Sequence, residues 1–576
     1  MVEHARGSLA ARAGAPAAAA LAVAAVAAAA GWLAVARPEL FELDLPTSPR
    51  ALVLVALVLL AAPAAFVALL RRPGVALAVL VVFVYLNLSQ VLVRFHGLPS
   101  LLQLLALPLA VAGLRVRGRE GVAAVATADL TVALGAYLAV LVASLAWAAD
   151  AAAAGERVGE IAKATAVYGL AALLAAGPRL LRRAAWSAVA AGSLLATFGV
   201  WQALTESFDS DFGGLARIKQ AQIYDDVFEP RIAGPLGDPN YFAQILLVLV
   251  PVALALAWGY DSWSGGSGRR RLLALGAAGL LVAGTVLTYS RGAALALALV
   301  LGLAVLVRGI RPRHVVAGVA VVALLWVFAP EGFARRLTTL REVLPGGEEV
   351  LRPDSSFAKR RLVTAAAWQM FLDAPLLGVG AGNYGSRFTP YADRVGTDAR
   401  LYEDPGERNF PHNLYLEIAA ETGAIGLAVF ALVVVAAFAS LVGARRRALA
   451  RGDPRTAALA EGLGLALVGF LITGLFLHGE FPRYLYLLLG LSAGLATPAG
   501  RGGRSLGTAV APEAGVQAPS RDDGEGTAAA VLRGERSDDA TGVLVRRPVA
   551  VLLSRFPLVT ETFILREVGE MERQGQ

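Results

Sequence analysis

The chain contains no cysteine, which excludes a disulfide framework and any thiolate-ligated metal site. Charge is scarce as well: 17% of the residues are Asp, Glu, Lys or Arg, against 57% that are hydrophobic. What charge there is falls between apolar stretches. Those stretches recur from residue 16 to residue 498, each near the length needed to cross about 30 Å of hydrocarbon. A soluble core has no use for such runs. They also lack the period-two alternation of barrel strands, so helices are the way their backbone is satisfied in lipid. The net charge of +8 points to membrane topology rather than nucleic acid, because the arginines cluster in the short breaks.

The apolar runs predict an all-α polytopic membrane protein of about fourteen spans. They begin near residues 16, 51, 74, 99, 129, 160, 184, 240, 272, 292, 314, 414, 457 and 483. Alternate loops are basic: Arg71 and Arg72; Arg115, Arg117 and Arg119; Arg179, Arg182 and Arg183; Arg269 to Arg271; Arg308, Arg311 and Arg313; Arg445 to Arg447 with Arg451 and Arg455. The positive-inside rule assigns these loops, both termini and the tail to the cytoplasm. The same register exports the two longest loops, 205–239 and 331–413. Arg6 and Arg12 before an Ala-rich run read as a signal anchor rather than a cleaved leader.

Polar groups at the exported ends of spans need a reason, since burial there is costly. Arg231 opens the turn-rich segment Arg231 to Asn240, where Asp238 or Asn240 alternatively serves only as a helix cap. Tyr289, Ser290 and Arg291 form a tight hairpin, and Arg291 alternatively snorkels to headgroups. His412 and Asn413 lead into a span that carries Glu417 and Glu421. His478-Gly479-Glu480 reads as a solvated turn. In the second exported loop, Arg360 to Phe371 has apolar residues at helical spacing and reads as lying on the membrane surface. The glycines from Gly378 to Gly382 read as a structural turn more than a ligand contact. Asp209-Ser210-Asp211 has a metal-motif spacing, but in an acidic loop chance accounts for it better. Guanidinium forks can hold a diphosphate and stabilise the charge it gains on leaving, and an imidazole can take a hydroxyl proton near neutral pH. No metal or other cofactor is then required.

Residues 190 to 495 resemble the O-antigen ligase and polymerase family of bacterial inner membranes. The most specific part is His412-Asn413, then nine residues, then Gly423-Ala-Ile-Gly426. Arg231 with Gly234 and Asn240, the Ser290-Arg291-Gly292 hairpin, and Arg360 ahead of Pro375-Leu-Leu-Gly378 support it. The resemblance implies a GT-C-like, metal-independent, inverting transfer of a polyprenyl-diphosphate-linked glycan to a sugar hydroxyl on the periplasmic face. The acceptor is the lipid A core in a ligase and another repeat unit in a polymerase. It makes His412, Arg291 and Arg231 the candidate catalytic residues, with Arg360, Asn240, Asn413 and Tyr289 binding substrate. Membrane lipids and other polysaccharide-assembly proteins are the implied partners.

The expected organisation is N-terminal transmembrane helices over 1–189, the ligase-like domain over 190–497, and a disordered cytoplasmic linker over 498–547. Residues 548–576 resemble the start of a GT-B glycosyltransferase, a strand and a helix too short to bury a core, so the chain reads as ending inside a second domain. A lipid-linked glycan flippase is the alternative from another class, and a structural assembly subunit a third. Transporters usually carry polar sites near mid-membrane, whereas the polar groups here gather at one face.

Overall fold

Proline and acidic caps set where the helices begin. Pro73, Pro178, Pro239, Pro454 and Pro482 each occupy a first-turn position, where the missing N–H costs nothing. Asp150, Asp238, Asn413 and Asp453 accept backbone N–H bonds as N-caps. The computed structural model describes residues 67–98, 100–224, 227–259, 265–309, 356–395 and 409–497. The expected spans near 16, 51 and 314, the linker 498–547 and the fragment 548–576 lie outside them.

The helices in order are α1 (Pro73–Tyr85), α2 (Leu88–His96), α3 (Leu101–Ala126), α4 (Asp129–Ala143), α5 (Ala151–Leu174) and α6 (Pro178–Thr205). A two-stranded hairpin follows, β1 (Arg217–Tyr224) and β2 (Val227–Gly234). After it come α7 (Pro239–Trp258), α8 (Gly265–Leu287), α9 (Arg291–Arg308), α10 (Ser356–Asp373), α11 (Tyr384–Arg394), α12 (Leu414–Ala450), α13 (Pro454–Thr473) and α14 (Pro482–Ala496). Among the described residues seven helices are long and apolar enough to cross a membrane, and an eighth if α1 and α2, bent by 58°, make one broken span. The all-α polytopic expectation therefore holds in its coarse form, without its count of fourteen. At 15 residues α14 is short for a span. In α5, Glu156, Arg157, Glu160 and Lys163 interrupt the apolar run. The antiparallel hairpin departs from an all-α fold, pairing Ile218 with Ile232 and Lys219 with Arg231.

Helix α7 is the centre. Every residue from Tyr241 to Ala253 is buried. Small residues on its neighbours allow close approach, as membrane helix packing requires. Gly192 of α6 faces Leu249, Gly284 of α8 faces Leu246, and Gly462 of α13 lies against the Pro251 carbonyl and Ala255. Gly490 and Gly494 do the same for α14 against Tyr168 and Ala172 of α5 and against Ala175 just beyond it.

Most of the basic breaks that can be followed gather at one end of the bundle. Arg182 lies 3.9 Å from Asp453, Arg308 lies 2.6 Å from Glu461, and Arg445 lies 3.5 Å from the same carboxylate. Arg455 donates to the Gly259 carbonyl at the end of α7. Arg117 corrects one expectation. Instead of sitting in a loop it is fully buried beside Gly118, whose φ of 64° kinks α3. Its guanidinium donates to carbonyls of Ala172, Leu173 and Ala175 at the end of α5, and of Gly494 and Thr497 at the end of α14. A cation there satisfies two sets of terminal carbonyls and opposes both helix dipoles.

Candidate functional site

The opposite end of the bundle collects the polar residues singled out in the sequence. Strand β2 carries Arg231 over the first turn of α7. There its Nε donates to the Thr288 carbonyl at 2.8 Å, and one terminal nitrogen donates to Asn240 Oδ1 at 3.3 Å. Arg231 and Thr288 are buried. Asp238 caps α7 through the N–H groups of Asn240 and Tyr241, and its second oxygen lies 3.4 Å from Lys219. Arg360 of α10 joins this group. Burial first, and then the Arg291 guanidinium, make its charged form less favourable than usual, while Asp238 offsets them. Arg360 and Arg291 thus face each other electrostatically near Asp238, and Arg231 bonds to Asn240 two residues further on.

Beside them is a histidine centre. His412 precedes α12 with a φ of 49°, and Tyr289 in the α8–α9 hairpin has a φ of 53°. Left-handed backbone is uncommon for such residues and tends to mark functional sites. The His412 ring meets His478 edge to face with centroids 5.6 Å apart. His478 stacks on Phe410 with centroids 4.0 Å apart and planes 6° from parallel. The Tyr241 hydroxyl lies 2.8 Å from His478 Nδ1 and 3.1 Å from the His478 carbonyl. Asn240 and Tyr241 are consecutive, so the first turn of α7 joins the arginine group to the histidine group.

The solvated-turn reading of His478-Gly479-Glu480 is corrected here. The His478 side chain is 5% exposed, while Glu480, 3.6 Å from Nε2, is 45% exposed. Burial, His412 and Arg157 hold the His478 imidazole well below its usual pKa. Partial burial and the Asp238 carboxylate push Glu480 up to about 7.

Behind both groups lies a clamp that the sequence showed only in outline. Arg157 of α5 donates to the Gly479 carbonyl at 2.9 Å and to Glu417 Oε1 at 3.2 Å, and Glu417 Oε2 accepts the Gly479 N–H at 2.6 Å. Glu421 accepts from the N–H groups of Gly382 and Tyr384. The glycine turn also bonds directly to the α12 backbone, Val379 N–H to Ala420 O and Gly380 N–H to Glu421 O, both at 2.9 Å. Gly378 lies against the backbone of Glu421 and Thr422, and Gly423 against that of Leu376 and Leu377, with no room for a Cβ at either. Both the Gly423 motif and the glycine turn thus act as a seam between α12 and the α10–α11 segment. Arg157 is not among the sequence candidates, although an arginine interrupting an apolar run is the signal that points to it.

Asn413 sits as the N-cap of α12, its Oδ1 accepting from Tyr415 and Leu416 at 3.0 Å each. Asp211 closes its own turn, accepting from Gly213 N–H at 2.9 Å.

Residues 276–431 match the family model described as O-antigen ligase. The matched stretch holds Arg291, Arg360, His412 and the Gly423 seam, and leaves Arg231 and His478 outside it. Comparison with curated proteins finds no match.

Proposed function

Taking residues 276–431 as an O-antigen ligase domain, we propose that this chain moves a polyprenyl-diphosphate-linked glycan onto a sugar hydroxyl at the periplasmic face of the inner membrane. The observation that carries this reading is that Arg231, Arg291 and Arg360 lie at the same end of the bundle as His412, linked to it through the first turn of α7 and His478. Guanidinium groups there suit a diphosphate, whose charge rises as the glycosyl bond breaks. His412 takes the proton of the attacking hydroxyl, which adds to the anomeric carbon opposite the leaving diphosphate and inverts it. Burial of Arg231 and its bonds to Thr288 and Asn240 fix its orientation before the donor arrives.

Tyr289 and Asn240 border the donor, and Asn413 sets the angle at which His412 enters the site. The acceptor is the lipid A core or a second repeat unit, which makes the chain a ligase or a polymerase respectively. With the basic end cytoplasmic, the His412 end is periplasmic, where lipid-linked glycan and other polysaccharide-assembly proteins meet.

The test is glycan profiling of a null host complemented with wild type, His412→Ala or Arg291→Ala, with membrane levels checked. Turnover should fall about a hundredfold or more with either variant, since each removes a transition-state interaction. Donor left unattached would name a ligase; single repeat units would name a polymerase. Wild-type profiles from both variants would sink the transferase reading and favour transport.

A further inference from the structure

The Tyr241 hydroxyl has one proton, and at 3.1 Å it donates it to the His478 carbonyl. Assigning that proton to the carbonyl makes the hydroxyl the acceptor of His478 Nδ1–H at 2.8 Å. That tautomer leaves a lone pair on Nε2. The atom is buried and makes no hydrogen bond. Such an acceptor is costly to keep, and a buried unsatisfied group at a site calls for an explanation. Nε2 lies 3.6 Å from Glu480, just beyond hydrogen-bond length, and His412 lies against the same ring. From His412, half-buried, through His478, buried, to Glu480, nearly half exposed, the three groups run from the reacting centre to solvent.

We propose that His478 and Glu480 form a proton relay that discharges His412 after each transfer. The inference rests on the glycosyl-transfer reading above. As the anomeric carbon bonds to the acceptor oxygen, its bond to the diphosphate breaks and the electron pair leaves with the diphosphate. The acceptor O–H proton goes to His412. Side-chain rotation of His412 then hands that proton to His478 Nε2. Nε2 passes it to the Glu480 carboxylate, which releases it to water, and all three groups return to their starting states.

The electrostatics suit a conduit better than a store. Burial, His412 and Arg157 disfavour a resident charge on His478, so a proton does not stay there. Glu480, with a pKa of about 7, both accepts and releases near neutrality. The charged and titratable groups around the pair are Asp238 and Tyr241 from the start of α7, Lys219 of β1, Arg157 and Glu160 of α5, Glu417 of α12, and His412. Burial first, and then Asp238, Glu160 and Glu417 against Lys219, raise Glu480 to about 7, so its carboxylate form gains ground as pH rises through about 7.

The test is in vitro transfer by the full chain in detergent or nanodiscs, from lipid-diphosphate glycan to acceptor, with and without added imidazole. His478→Asn keeps a donor toward Tyr241 and removes Nε2; Glu480→Gln alters a side chain near half exposed. The expected result is a tenfold or greater loss of kcat in each, with KM for the donor unchanged, a pH profile no longer rising through about 7 in Glu480→Gln, and recovery on adding imidazole. A base that diffuses in replaces a relay and does not repair a misfolded turn. Full kcat in both variants, or a loss that imidazole leaves untouched, overturns the relay. If His478→Asn does not fold, Glu480→Gln decides alone. His412→Ala run beside them separates the failures: an inactive His412→Ala with fully active relay variants overturns only the relay, whereas an active His412→Ala overturns the transferase reading as well.

Discussion

Arg157 and Glu417 meet inside the bundle, and between them they hold both backbone groups of Gly479. Removing one partner of a buried ion pair leaves the other charge uncompensated, at a cost of about 3–5 kcal/mol, whereas removing both avoids that penalty. Glu417→Gln should therefore melt well below wild type in detergent, and Arg157→Met with Glu417→Leu should melt above Glu417→Gln. Additive losses in the double variant would show that the two residues do not act as a pair. At this scale the sequence was uneven. His412 was legible because its spacing to Gly423 is a motif, and Arg231 and Arg291 because a cation at the end of an apolar run demands an explanation. His478 was not, since a His-Gly-Glu turn between spans reads as hydrated. Its burial depends on Phe410, Tyr241 and Arg157, each distant in the chain. Asn413, expected to bind substrate, has its Oδ1 engaged in capping α12.

At the scale of elements, the seam between the glycine turn and α12 is built from reciprocal backbone contact. Gly378 has a φ of 69° and its Cβ would strike the backbone of Glu421; Gly423 has a φ of 64° and faces the backbone of Leu376. A methyl group at either position adds both left-handed strain and a clash that no flexible side chain can relieve. Gly378→Ala and Gly423→Ala should each lose about 1–3 kcal/mol. Gly276→Ala, in α8 with nothing within 4 Å of its Cβ, should not. Thermal unfolding of the three in the same detergent checks this, and equal melting temperatures would mean the seam does not carry the load assigned to it. The glycine turn was readable as structural because nothing resembling a phosphate-binding strand precedes it. The β1–β2 hairpin is not legible in the sequence, because Glu229 and Pro230 lie inside β2 and break its apolar alternation.

On the scale of the whole molecule, one geometric statement ties the parts together: the arginine-rich breaks share one end and the His412 centre the other. Contacts at Asp453, Glu461 and Gly259 draw the first group together, and contacts at Thr288, Gly479 and Gly382 the second. If the positive-inside rule sets the orientation, Asp209 in the loop after α6 faces the periplasm and Arg451 beyond α12 faces the cytoplasm. The chain lacks cysteine, so it is already the background such a test needs. Asp209 and Arg451 are both exposed, which makes them suitable label positions. Asp209→Cys should react with a membrane-impermeant maleimide in intact spheroplasts, and Arg451→Cys only after permeabilisation. The opposite pattern would put the diphosphate-binding arginines on the cytoplasmic side and remove periplasmic transfer from consideration. Labelling of both in intact cells would place the two loops on one side and break the bundle topology itself. Because α12 runs from the His412 end, through a break at Gly423, to the Arg445 cluster, the expected pattern fixes the side of the site along with that of the loops.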